Sequence, residues 1–511
     1  MLLPYALPVA AAFLLAAFFL GLPALKTCSL PAPSKRAPRR LTRRDWLLLL
    51  ACFALAALFC HCFDMSRSLP ERCWLARPGI GFTLFLLGGL AASLLYLGRR
   101  PYSRDQYLMI GAYVALALSY TLLGDPLLKR LNYLVCLGVV PLTLFSLAGL
   151  SNGSPWEGAA LTQTLRRLFP NLFRFSLRPF AALSRVEAFK SRKGGALLTG
   201  LLLALPLLAV VMVLLASADA VFGSLFTDLG DWLQTLSLGR LGWVVLRTLV
   251  VGLCGFSLLY SLNQPPRPLA RREASRRLPL LSWNVALLLL NAVYLLFVFI
   301  QFTVLFGGNE TAAIRGGFAE YARSGFFQLV AVAVLNLALL LLARRAWPEQ
   351  LSLRINGSLL LAETGVILVS ALWRMTLYIR AFGLSVLRLT TLWGMAVIAL
   401  AILLAALKLW RPQTKIYRLL LAVTLASWLA FNYCGVDKLV ADYNVDHYLV
   451  GELEQVDVQY LSDELSPAAI PALQRLADNG DYSARRAITE IRREARQLAW
   501  WDLSLPWLIK E

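Results

Sequence analysis

Long apolar runs limit what this chain can fold into more than any other feature. A membrane-spanning helix needs about 20 mainly apolar residues to cross roughly 30 Å of hydrocarbon. About twelve runs meet this need; they lie near residues 2–25, 46–63, 79–97, 107–123, 130–150, 196–217, 241–262, 281–306, 326–343, 355–377, 390–410 and 416–433. The pattern predicts an all-α fold, a polytopic transmembrane helical bundle of about 11–13 spans.

Composition excludes the soluble classes of protein. Apolar residues make up 59% of the chain and charged residues 15%, whereas soluble domains carry about 25% charged residues. The net charge of +21 comes from basic residues in short loops between apolar runs. We therefore expect the lipid bilayer as partner, with anionic lipids at the basic loops, and no nucleic acid, because no nucleic-acid motif is present.

The distribution of Lys and Arg predicts the orientation. Loops after the odd-numbered runs carry about 29 basic residues and the alternate loops about 10, and basic loops stay in the cytoplasm. The first run has no basic residue before it, so we expect a retained span rather than a cleaved signal peptide. The sequence thus predicts a multi-pass plasma-membrane protein with both termini outside the cytoplasm.

Three regions differ in composition. Residues 1–195 form an N-terminal membrane region with basic cytoplasmic loops, residues 196–433 a transmembrane core, and residues 437–511 a small acidic helical module outside the cytoplasm. Within 162–194, apolar and arginine side chains alternate at near-helical spacing, which favours an interfacial helix over a plain connector. We expect Pro170 and Pro179 to break it into short helices. In the module, Ser466-Pro467 predicts a helix start and Asn479-Gly480 its end.

Charged residues inside spans are expensive and are candidates for function. Glu363 is the main candidate, with Arg374 on the same helix face and Arg247 on another span as possible partners. We expect a structural ion pair; the alternative is a carboxyl facing a water-filled cavity. Asn284, Asn291 and Gln301 in one span are expected to hydrogen-bond between helices.

No sequence signal indicates catalysis or a cofactor. Cys60, His61, Cys62 and Cys73 lack the paired spacing of zinc sites, and we expect helix residues there, with a disulfide to Cys73 left open. Phosphate-binding loops, nucleophile elbows and zinc-protease motifs are absent from the sequence. We therefore expect no metal, no cofactor and no catalytic residue.

From about residue 210 onward, several motifs resemble a bacterial membrane family. They are LLASADAVF (214–222), FVFIQFTVLFGG (297–308), EYARSGFFQL (320–329), SALWRMTLYIRAFGLSVLRL (370–389), DYNVDHYL (442–449), VQYLSDELSPAAIPAL (458–473) and WWDLSLPW (500–507). The family is catalogued as domains of unknown function, in the overlapping four-one-five-three and four-one-seven-three classes. Earlier residues resemble it only in being hydrophobic and basic.

The resemblance implies a multi-spanning plasma-membrane protein with an outer C-terminal module, and no established activity. Its motifs, placed on the predicted topology, mark polar positions on outer loops or outer span ends: Asp219, Glu320, Tyr321, Arg323, Arg374, Tyr378, Arg380 and Arg388. Together with the module, they are expected to form one outer surface.

The leading functional hypothesis is a non-enzymatic membrane protein with an envelope-sensing, regulatory or scaffold role. Secondary transport is the alternative, because about twelve spans suit a transporter, although no repeat is visible. A membrane-embedded lipid-linked transferase is the second alternative, with carboxylates at Asp219, Glu320 and Glu363.

Overall fold

A computed structural model describes residues 41–62, 78–183, 238–264, 279–306 and 326–508, apart from positions 152, 348–349, 412, 499 and 501. The described residues form α-helices and short 3-10 turns, with no β-strand among them. The all-α prediction is therefore confirmed. The predicted spans near 2–25 and 196–217 lie outside the described residues.

Twelve described helices precede the C-terminal module. They are α1 (Arg43–Cys62), α2 (Ile80–Leu97), α3 (Arg104–Leu122), α4 (Pro126–Leu147), α5 (Gly158–Arg174), α6 (Arg178–Leu183), α7 (Leu238–Ser261), α8 (Leu280–Phe306), α9 (Phe326–Ala346), α10 (Leu351–Phe382), α11 (Val386–Trp410) and α12 (Ile416–Tyr433). All ten predicted spans that fall on described residues coincide with one of these helices.

Eight of the described helices are long and apolar enough to cross a membrane, namely α1, α2, α4, α7, α8, α10, α11 and α12. Helix α9 has a shorter apolar stretch, Gln328–Arg344. Helix α3 is not among the eight helices, and it buries three of its polar side chains, Tyr113, Ser119 and Tyr120. The chain is an integral membrane protein, and the predicted count of about twelve spans is not confirmed.

The helices pack in two groups. The first group consists of α1–α5 and α7, and the second of α8–α11. Helix α12 contacts α3 in the first group and α11 in the second, so it joins them. Its Trp428 donates a hydrogen bond to Asn132 of α4 (2.8 Å), and Asn132 donates to Asn432 of α12 (2.8 Å). Such paired polar side chains hold helices together inside a bilayer.

Helix α8 shows the lipid-facing pattern most clearly. Only 11% of its apolar stretch, Leu280–Ile300, is buried. Leu288, Leu289, Val293 and Phe299 are each at least 60% exposed. In hydrocarbon such side chains carry no penalty, because lipid tails are as apolar as leucine. The outer face of α8 is therefore suited to contact with lipid.

One end of the helices collects basic residues and is called the basic end. It contains the connections around Arg99–Arg104, Leu147–Gly158, Ser261–Asn263, Ala346–Leu351 and Trp410–Ile416. Arg100 donates to Asn263 Oδ1 (2.7 Å), and Arg418 pairs with Asp105 (2.7 Å). These contacts join connections that the loop-charge count had assigned to one side.

Helix α5 lies at the basic end. Its Arg167 is buried and donates to the Leu150 carbonyl (2.5 Å), while Phe169 and Phe173 are more than 60% exposed. The predicted break at Pro170 is wrong, because Pro170 lies inside α5. A proline removes one helical hydrogen bond, and packing against α7 supports the helix around it. The chain leaves the helix after Arg174, where the Phe175 amide donates to Ser257 of α7 (2.8 Å).

The C-terminal module lies at the opposite end, called the module end. It consists of α13 (Val436–Leu449), α14 (Val458–Asp463), α15 (Ile470–Asp478) and α16 (Tyr482–Gln497), with 3-10 turns at Pro467–Ala469 and Leu505–Trp507. The predicted start at Ser466 is confirmed, because the Ser466 hydroxyl accepts from the Ala468 amide. Buried side chains of the module are continuous with the core of the second helix group.

Three connections at the module end each contain a glycine that packs closely against the module. Gly79 lies against the backbone of Asp502 and Leu503, and Gly124 against the Ser466 side chain. Gly383, with φ of +75°, lies against Asn444. A Cβ at any of the three would fall inside the contact distance of its neighbour. The module is therefore seated on connections from both helix groups.

We expect Gly124→Ala to lower the stability of the folded protein by about 1–3 kcal/mol, because the added methyl overlaps Ser466. Gly111→Ala is the matched control, since a Cβ there meets nothing within 4 Å. Thermal unfolding in detergent measures both variants. Equal unfolding midpoints would contradict the seating of the module on this loop.

Candidate functional site

Of the polar positions predicted on α10 and α11, the structure brings Tyr378 and Arg388 into contact. The Arg388 guanidinium lies 4.2 Å from the centroid of the Tyr378 ring and donates to the carbonyls of Phe382 (2.9 Å) and Gly383. It thereby satisfies carbonyls at the end of α10, which have no partner within the helix. Arg380 is exposed and Arg374 half-buried on the same helix. For Arg388 the contacts indicate a helix cap.

Several predicted positions cannot be joined to this cluster. Asp219, Glu320, Tyr321 and Arg323 lie outside the described residues. Arg247 is half-buried in α7, which packs against α1 and α5.

Among the described residues, Glu363 does not have the expected ion-pair partner. It is 3% exposed, and both carboxyl oxygens lack a hydrogen-bond partner among the described residues. The separation from Arg374 explains the error, since eleven residues of helix span about 16 Å. A shared helix face was therefore insufficient for an ion pair.

The expected hydrogen bonds from α8 are confirmed for two of its asparagines. Asn284 donates to Ser352 (3.0 Å) and Asn291 to the Asn356 carbonyl (3.1 Å), both across to α10. The Gln301 side chain lies outside the described set.

A buried pair of carboxyl groups, absent from the sequence predictions, joins the module to the helices. Asp125 is the N-cap of α4, where its Oδ1 accepts from the Leu128 amide (2.7 Å). Asp437 lies in the first turn of α13, and its Oδ2 accepts from the Ser466 amide (3.1 Å). The two side chains are 3% and 5% exposed and lie close enough to interact with each other.

The free oxygens of this pair require a proton. Asp125 Oδ2 and Asp437 Oδ1 receive no hydrogen bond from another group in the described part of the chain. Burial, followed by the charge and hydrogen bond of Asp437, raises the pKa of Asp125 well above its usual range. Two adjacent buried carboxyl groups share one proton because both cannot ionise without strong repulsion.

The surroundings of the pair belong to both the module and the helices. The Tyr460 hydroxyl accepts from the Val386 amide at the start of α11 (2.9 Å), and burial raises the pKa of its phenol. Arg130 lies 3.7 Å from Glu464. Lys129, one turn from Asp125, is itself buried. The carboxyl pair thus lies among side chains of α4, α11, α13 and α14.

A second polar contact fixes the module to the turn between α10 and α11. Asn444 Oδ1 accepts from the Leu384 amide (2.6 Å), and Asn444 Nδ2 donates to the Leu384 carbonyl (2.8 Å). These two bonds satisfy the backbone of a buried residue, which would otherwise lose both partners. They make the module a direct neighbour of the ends of α10 and α11.

Only part of this site had a signal in the sequence. Asp125-Pro126 carries the pattern of a helix start. Asp437 stands more than 300 residues later, where the tail becomes acidic. Their meeting depends on the fold alone.

The cysteine cluster forms no described metal site. Cys60 and Cys62 are unbridged thiols, and Cys73 lies outside the described residues. Within the described ranges, no three His, Cys, Asp or Glu side chains gather in a way that could hold a metal ion.

One comparison with known proteins gives a match. The family described as "Domain of unknown function (DUF4153)" matches residues 110–476, from within α3 to within α15. The chain belongs to the DUF4153 family. The predicted resemblance is confirmed for this class, and the DUF4153 match begins about 100 residues earlier than the motifs that suggested it. It includes Asp125, Glu363 and Asp437, while the Trp-rich motif at 500–507 lies beyond it. No curated protein and no solved structure matches the chain.

The raised pKa of Asp125 predicts that docking of the module weakens as pH rises. The stabilisation is complete below the ordinary aspartate pKa of about 3.9 and is lost as pH passes through the raised value. Between these two pKa values the loss is about 1.4 kcal/mol per pH unit for one proton, and above the raised value no further loss occurs.

Asp125→Asn provides the test, because its amide donates to Asp437 at every pH. The difference in unfolding midpoint between Asp125→Asn and the natural sequence should grow in favour of the variant as pH rises. Asp478→Asn, at an exposed position, is the control and should show no such trend. A constant difference across the range would contradict the shared proton.

Proposed function

We propose that this protein senses or regulates a process in the cell envelope, with the C-terminal module as its responsive part. The buried pair Asp125–Asp437 is the observation that carries the proposal. It places a titratable contact between the module and the membrane helices. A change that adds or removes its proton alters how firmly the module is held.

The contacts of the module link its docked state to the ends of the membrane helices. Asn444 holds the turn between α10 and α11, while Gly124 and Gly79 contact the module from the first helix group. Helix α12 continues into α13 through Gly435, which has φ of +70°. Release of the module would therefore free the ends of several helices at once. This is what a regulator needs, namely an element with two arrangements.

The proposed orientation puts the module outside the cytoplasm and the basic end inside. The excess of basic residues at the basic end supports this orientation. Helix α5 would then lie on the cytoplasmic leaflet, with Phe169 and Phe173 in the lipid and its arginines near anionic headgroups. The plasma membrane is the compartment proposed.

Secondary transport is the second candidate, and one observation favours it. Glu363 lies near the middle of α10 without a partner among the described residues, and transporters place binding sites near the midplane. The transferase hypothesis has no comparable support, since Asp219 and Glu320 lie outside the described residues.

Reporter fusions test the orientation. A phosphatase that is active only outside the cytoplasm should be active when fused after Leu453 in the module. The same reporter after Asn263, at the basic end, should be silent. A cytoplasm-only reporter should give the reverse pattern at both positions. Activity of the phosphatase after Asn263 and silence after Leu453 would overturn the orientation.

Two variants with opposite effects on docking test regulation. Asp125→Asn keeps the module docked at all pH values, and Gly124→Ala loosens it. Each is expressed in a strain that lacks the native gene, and transcripts are compared at matched protein levels. A sensor predicts that the two variants shift the same transcripts in opposite directions.

Gly111→Ala should behave like the natural sequence in this experiment. A scaffold would instead lose its role only in Gly124→Ala, the variant that loosens the module. For a transporter, the two variants would not shift transcripts in opposite directions. Shifts in the same direction for both variants would reject the regulatory proposal in favour of those roles.

A further inference from the structure

Glu363 occupies the interior of the second helix group. It lies twelve residues into α10, about 18 Å from its start at the basic end. Helix α10 packs against α8, α9 and α11. The side chain is 3% exposed, and neither oxygen has a hydrogen-bond partner among the described residues. A carboxyl group in this setting is a candidate for binding a cation or a proton.

A row of polar side chains leads from the basic end toward this carboxyl group. We call it the polar seam; its members are Asn284, Asn291 and Tyr294 of α8, Asn336 of α9, and Ser352, Asn356 and Thr364 of α10. Near the basic end, Asn356 donates to Asn284 (3.3 Å), which itself donates to Ser352. Farther in, Asn291 donates to the Asn356 carbonyl, and its Oδ1 is buried without a described partner.

The seam ends beside Glu363. Tyr294 donates to Asn336 Oδ1 (2.9 Å), and Asn336 donates to the hydroxyl of Thr364 (2.9 Å), the residue next to Glu363. The Tyr294 hydroxyl is close enough to Glu363 for an electrostatic interaction. Polar groups from three helices thus meet at the height of the Glu363 carboxyl group along α10. Hydrogen bonds between these helices do not need a carboxyl group, so Glu363 requires a separate explanation.

The neighbouring helices supply no cation at this level. On α8 the titratable side chain facing Glu363 is Tyr294, and α9 has basic residues only at its basic-end terminus. The basic residues of α11 stand near its two ends, and on α10 itself the nearest are about 14 Å and 16 Å away along the axis. These residues are Arg344 and Arg345 of α9, Arg388 and Lys408 of α11, and Arg354 and Arg374 of α10. An ionised Glu363 would therefore lack compensation from the described helices.

We propose that Glu363 is a proton-binding site that exchanges with the basic end of the protein through the polar seam. The neutral carboxyl is the form that a site without a cation tolerates. Asn291 Oδ1 is an open acceptor along the route, and an acceptor of this kind can hold a water molecule that carries a proton. The site is independent of the carboxyl pair at the module end, so its failure would leave the sensing proposal intact.

A carbodiimide tests this site on the full natural chain. Dicyclohexylcarbodiimide adds a protonated carboxyl group across a C=N bond, and the adduct rearranges to a stable acylurea that mass spectrometry locates. We expect Glu363 to be labelled in sealed vesicles and labelling to fall as pH rises. When pH is changed on one side only, labelling should follow the side that holds the basic end. Glu363→Gln should lose the adduct.

Variants and salts separate the outcomes. Asn291→Leu should make labelling insensitive to pH on the basic-end side, whereas Leu288→Ala, on the exposed face of the same helix, should not. If sodium or potassium protects Glu363 from labelling at constant pH, the site binds a metal cation, and the proposal of a proton site is wrong. Absence of labelling at every pH, or labelling that follows only the module side, would overturn the proposal. Because the main readout uses the natural chain, it does not depend on a variant folding.

Discussion

The hydrocarbon interior of the bilayer offers no water to a polar group, and this constraint organises the whole chain. Backbone groups there must be satisfied internally, which is why the membrane part is helical. Side chains follow the same rule. The exposed face of α8 is leucine, valine and phenylalanine, while Asn132, Trp428 and Asn432 pair with one another inside. A polar side chain that stays unpaired inside such a bundle therefore stands out.

The C-terminal module is held where this constraint ends. At the module end, the connections between helices expose backbone groups and approach the module closely. Gly79, Gly124 and Gly383 leave space for that approach, and Asn444 satisfies the backbone of Leu384. A larger residue at these glycines would separate two surfaces that otherwise share buried contacts. The module and the helices are thus joined by close backbone contacts at these loops as well as by a continuous hydrophobic core.

The two carboxyl sites differ in their surroundings and therefore in their chemistry. Asp125 and Asp437 lie outside the spans, and each has one oxygen anchored by a backbone amide. Their remaining oxygens face a like group, so one proton serves both. Glu363 lies within a span and has no anchor among the described residues. Its neighbours in the polar seam are neutral, so they cannot neutralise a carboxylate. In our proposals, the first site therefore acts through docking of the module and the second through proton exchange with the basic end.

The sequence by itself determined the helical class, the positions of the long apolar helices in the described ranges and the gathering of the described basic connections at one end. These follow from local quantities, namely the length of an apolar run and the charge beside it. Ser466 likewise marked the start of the 3-10 turn that leads into α15, and Asn479-Gly480 marked the end of α15, because capping is a local interaction. Only the tertiary structure decided which polar residues meet. Asp125 and Asp437 come together across more than 300 residues, and Asn132 meets Trp428 and Asn432 across a similar separation, because packing between helices that are distant in sequence sets those contacts.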